Sequence, residues 1–73
     1  MVNTLKLKSF LTLNGMTQKS LAKKIGISEN TMSSKINNKS DFNSEEINAI
    51  CEELKIFKDS DRCSIFLFNP SQK

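Results

Sequence analysis

The stretch TQKSLAKKIGISENTMSSKIN, residues 17 to 37, constrains this chain more than any other. Two short segments with helical apolar spacing stand on either side of Gly26-Ile27, and each opens on a hydroxyl residue. Thr17 is placed to cap the first, whose inner face is Leu21, Ala22 and Ile25. Ala22 is small enough to let a neighbouring helix approach closely, and Lys19, Lys23 and Lys24 fall largely outside that face. Gly26 follows the last apolar residue, where a chain leaving a helix needs a positive φ. Ser28 then caps a second segment whose apolar positions are Met32 and Ile36. Glu29, Asn30, Thr31, Ser33, Ser34 and Lys35 surround them and are all polar. A helix pinned by two side chains presents most of its girth to solvent or to a partner. Asn37-Asn38 ends it.

Three further segments complete an all-α, five-helix pattern. The spacing predicts a helix over about residues 5–13, with Leu7, Phe10, Leu11 and Asn14 on its stripe and Leu5 and Leu13 widening it. Asn14-Gly15 reads as a left-handed stop, and Lys6 and Lys8 should be solvated. DFNSEEINAICEEL carries the clearest start signal. Asn43, or Ser44, caps a helix over about 44–54, Glu46 answers Asn43 from the third position, and Phe42 is set to staple onto Ile47. A last helix, capped by Asp59 or Ser60, is expected through DRCSIFLF with Cys63, Phe66 and Leu67 inward, ended by Asn69-Pro70. SIFLF also fits a strand, but a lone strand has no obvious partner here.

Seventy-three residues make one domain, 1–73, with the paired segments at about 17–37 and an apolar tail at 56–68. No apolar run approaches the roughly 18 residues needed to span a bilayer. MVNTLKLKSF has no signal-peptide character, so the expected location is the cytoplasm, with no membrane partner. With no histidine and only Cys51 and Cys63, a zinc site is excluded on ligand count, and both thiols are expected buried and reduced. No base-paired nucleophile or Gly-rich phosphate loop is present. The Glu45-Glu46 and Glu52-Glu53 pairs splay apart on a helix and do not form an acid/base couple. The expectation is therefore no enzyme, no cofactor and no small-molecule substrate. Residues 1–40 carry seven lysines against Glu29, a net +6, while residues 41–73 carry four basic and seven acidic residues, a net −3. A polyanion partner for the first half explains this, as does a lysine- and asparagine-rich composition from an AT-rich genome.

Helix, tight turn, helix in a basic half-chain is the layout of a helix-turn-helix. Thr17, Gln18, Leu21, Ala22, Ile25, Gly26, Ile27 and Ser28 match the pattern closely, and the segment resembles that of phage Cro and repressor proteins, the Xre-like family. The resemblance implies a transcriptional regulator of a phage or prophage lysis–lysogeny switch, with double-stranded operator DNA as partner. It implies base-edge contacts from Glu29, Asn30, Ser33 and Ser34, with Thr31 and Lys35 on the same helix and Ser28 at the groove wall. Thr17 and Gln18 would meet one phosphate backbone, and Asn38 and Lys39 the opposite one. Asn38 stands where the family usually has Gly, and the reading face carries no Arg or Gln. The second reading is an antirepressor or corepressor that binds a phage repressor protein. Its basis is surplus apolar residues in the tail, with Ile65, Phe66 and Phe68 as the partner surface; the same tail also reads as completing the small core, or as a homodimer interface.

Overall fold

Four of the five helices start on a side chain supplied next door in sequence. Asn3 accepts the Lys6 N–H (3.2 Å) and starts α1, Thr4–Leu13. Thr17 and Ser20 cap each other's backbone at the head of α2, Gln18–Ile25. Ser28 accepts the Thr31 N–H (3.1 Å) and starts α3, Glu29–Ile36. Asn43 and Glu46 form the expected reciprocal box at the head of α4, Ser44–Leu54. The last helix, α5, runs Asp59–Phe66. The structure, a computed structural model, describes residues 1–66.

The stops of α1 to α4 share one geometry. A left-handed residue follows the helix, and the next N–H reaches back five residues: Met16 to Leu11, Ile27 to Ala22, Lys39 to Ser34 and Ile56 to Cys51. The left-handed positions are Gly15, Gly26, Asn38 and Lys55. This is the Schellman closure of orphan carbonyls. Asn14 itself keeps φ at −97°, so the left-handed stop of α1 is Gly15 alone.

Leu7, Leu21, Met32, Ile36, Ile50, Leu54, Ile56 and Ile65 are fully buried and come from all five helices and the α4–α5 connection. Burying each such side chain stabilises the fold by about 1.5–3 kcal/mol. Helix α2 packs against both α3 and α4, and α1 packs against α5. Phe42 and Ile47 are partly buried against the core, as a staple requires.

Several sequence expectations are corrected. Leu5 and Leu13 are 80% and 78% exposed, because the buried stripe of α1 is as narrow as Leu7 and Leu11. Cys51 is buried but Cys63 is exposed. The Asn3 N–H donates to the Ile65 carbonyl (2.7 Å), laying the end of α5 against the chain's first residues and turning Ile65 and Phe66 inward. Phe66 meets Phe42 edge-on, with centroids 6.0 Å apart. Ile65 and Phe66, expected as a partner surface, are therefore core. Phe68, Leu67 and the Asn69-Pro70 stop lie outside the described residues. Among the described residues no helix is long and apolar enough to cross a membrane.

Candidate nucleic-acid interface

Helices α2 and α3 are joined by Gly26, Ile27 and Ser28. Gly26 sits at φ 82°, and both its N–H and that of Ile27 close onto the Ala22 carbonyl. That turn releases the chain for Ser28 to begin α3 at once. Met32 and Ile36 hold α3 to the core at 0% exposure. At the head of the helix Ser28, Glu29, Asn30 and Thr31 are exposed, while Ser33 and Ser34 are half-buried.

The outward face of α3 divides by how its polar groups are used. Ser28 donates to the Thr31 hydroxyl (2.8 Å), so both are engaged locally. The Asn37 amide makes a long contact to Ser33 (3.4 Å). No hydrogen bond within the chain occupies the side chains of Glu29 or Asn30 among the described residues. Two exposed groups, one carboxylate and one amide, thus lead the helix. An amide in that position suits the N6/N7 edge of adenine, and a carboxylate accepts from a cytosine amino group. Thr17 is exposed but its side chain is held in the cap of α2; Gln18, half-buried, is the first residue of that helix.

Two expected contacts are corrected. Lys35 does not face outward: its Nζ donates to both Glu46 oxygens at 2.6 and 2.8 Å and lies 5.9 Å from the Phe42 ring centroid. Only 15% of the Lys35 side chain and 12% of the Glu46 side chain are exposed. Burial pushes the Glu46 carboxyl up, but the Lys35 hydrogen bond, the Asn43 N–H and the Lys35 charge together outweigh it, leaving its pKa below the ordinary glutamate value. Asn38 has the positive φ (64°) that its place after α3 demands, yet its amide is already paired. Its Oδ1 accepts the Val2 N–H (2.7 Å) and its Nδ2 donates to the Val2 carbonyl (3.0 Å).

Lys39 stands apart for a reason its neighbours supply. At the three other Schellman stops the residue after the left-handed position is Met16, Ile27 or Ile56, each packed into or against the core. After α3 that position holds an exposed lysine. Of the other basic residues in the first half, Lys6 pairs with Asp61 (3.7 Å) and Lys24 with Glu53 (3.8 Å). Lys8, Lys19, Lys23 and Lys39 are exposed and have no ion pair among the described residues. The sequence places Lys19 and Lys23 only outside the inner face of α2; their position on the helix directly before the turn marks them as candidates. Among the described residues no three His, Cys, Asp or Glu side chains group as a metal site.

A protein-family model, the Cro/C1-type HTH DNA-binding domain, matches residues 6–56. That span runs from α1 through the end of α4 and contains the whole α2–turn–α3 unit. No curated protein and no solved structure gave a significant match.

Proposed function

We propose that this chain, which belongs to the Cro/C1-type helix-turn-helix DNA-binding domains, regulates transcription by reading operator DNA with α3 in the major groove. One observation carries the reading. A well-capped helix, fixed by two fully buried side chains, leads with polar residues that its own fold does not use. Asn30 and Glu29 take base edges, with Ser33, Ser34 and Thr31 as adaptable hydroxyls beside them. Gln18 and Thr17 at the head of α2, Lys19, and Lys39 beyond α3 hold phosphates, by amide, helix N-terminus and ammonium respectively. The resemblance to phage Cro and repressor proteins supports a place in a phage or prophage lysis–lysogeny switch, inside a bacterial host.

Binding to a repressor protein in place of DNA loses support from the tail. Ile56, Ile65 and Phe66 are buried, and Phe57 is its one large exposed apolar residue among the described residues. DNA retardation measured across a salt series separates the two. Each phosphate neutralised by lysine steepens the fall of log K against log salt by about 0.9, so Lys19 and Lys39 give a slope of roughly −2 per chain. A protein that retards no duplex at low salt, yet co-purifies with a repressor encoded beside it, is acting by the second route.

A further inference from the structure

The anchoring of α3 poses a mechanical question. Met32 and Ile36 lie on one line along the helix, so the fully buried anchors within α3 resist rolling about that line only weakly. Rolling would carry Asn30 and Glu29 off any base they address, and recognition geometry tolerates only about 0.5 Å of error. Three polar ties stop the roll, and all act at the C-terminal end. The Thr4 hydroxyl donates to the Ile36 carbonyl (2.6 Å). Val2 and Asn38 exchange two hydrogen bonds, of 2.7 and 3.0 Å. Lys35 is held by Glu46 on α4. The Val2 side chain is itself buried, so the segment that supplies two of the ties is anchored in the core. The ties come from two separate elements, the chain's start and α4.

We propose that the segment Val2–Thr4 is a clamp that sets the roll of the reading helix, with Thr4 and Asn38 as positioning residues for DNA recognition. The inference rests on α3 being the DNA-reading helix. It assigns Asn38 to holding the loop after α3, where the sequence alone suggested a phosphate contact. Thr4 touches no DNA in this arrangement, so its effect on recognition reaches the bases only through α3.

The test uses a duplex selected by the wild-type protein from a randomised pool, and a scrambled duplex of equal length. Affinities are measured at a temperature where circular dichroism shows each variant fully folded. Thr4→Val, which keeps shape and removes the hydroxyl, should weaken binding to the selected duplex by twofold to about fivefold, the upper figure being the size of one whole hydrogen bond. Thr4→Ser should restore it. Asn38→Ala, losing two bonds, should weaken it further. Binding of the scrambled duplex should change less than twofold in the two Thr4 variants, because their phosphate contacts are untouched, and the salt slope should match wild type. A variant merely less folded would lose both affinities alike. Thr4→Val binding the selected duplex as wild type does, or both duplexes weakening together, overturns the clamp and leaves the DNA reading standing. If the wild-type protein selects no duplex, the DNA reading falls and the clamp falls with it.

Discussion

Helices α3 and α4 are started by the same rule and put to opposite uses. Each opens on a short polar side chain that accepts the N–H three residues on, Ser28 for α3 and Asn43 for α4. Helix α4 then turns its polar groups to internal work. Glu46 closes the capping box on Asn43 and holds Lys35, while Ile50, Cys51 and Leu54 fill the core. Its stop sends Ile56 into the interior. Helix α3 buries two residues, leaves Glu29 and Asn30 outward, and its stop sends Lys39 into solvent. The stop geometry is common to both. The difference therefore lies in which side chains the chain places on an identical frame. The outer positions of α3 carry polar side chains that the fold leaves unpaired among the described residues, where α4 spends its own on Asn43 and Lys35.

The strongest way to break this contrast is to truncate one anchor in each helix. Met32→Ala and Ile50→Ala should each lower unfolding stability by about 2–5 kcal/mol in denaturant titration. A loss at Met32 of well under that range would mean α3 is not held as the account requires. Next in size is the link between the two helices. Glu46→Gln leaves a nearly buried ammonium with a weakened partner and should cost about 1–3 kcal/mol. The effect is tied to pH. Because folding lowers the Glu46 pKa, the stabilisation is present above the ordinary glutamate value and is lost as pH falls through the lower, folded value. Wild type and Glu46→Gln stabilities should thus converge under acid. Smaller again is Lys55→Gly. Lys55 sits at φ 58° where α4 stops, a position that favours glycine, so the change should raise stability by about 0.5–1 kcal/mol. Asn38→Gly shares that backbone benefit but gives up the two Val2 bonds, so it should not stabilise.

The thiols offer a check on packing that needs no mutation. Burial pushes the Cys51 thiol up, with the Arg62 charge offsetting part of it, whereas Cys63 is exposed. One cysteine per chain should label rapidly with a thiol reagent in native buffer, and the second only on unfolding.

What could be read from the sequence was local. The caps at Thr17, Ser28 and Asn43, the stop at Gly26, and the α4 span follow from residues three or four apart. The pairing of Met32 with Ile36 identified α3 as thinly anchored for the same reason. The long-range ties were invisible. Lys35 and Glu46 are 11 positions apart, and Val2 and Asn38 are 36 apart, with no periodic pattern to join them. Lys35 and Asn38 were consequently expected on DNA and are found holding the protein together. On α5 Phe66 is inward as expected but Ile65, not Cys63, shares that face, because eight residues with two buried positions give the helical period little to fix. The Asn3–Ile65 bond that settles it spans nearly the whole described chain.

The most direct test is Asn30→Ala, measured twice on the same sample. Asn30 is exposed and holds nothing in the fold, so the melting temperature should stay where it is, within the about 0.5 kcal/mol usual for a surface change. Affinity for the selected duplex should fall by about 1–3 kcal/mol, with the loss concentrated at one base position. An unchanged affinity alongside an unchanged melt would contradict the claim that the outward polar residues of α3 read DNA.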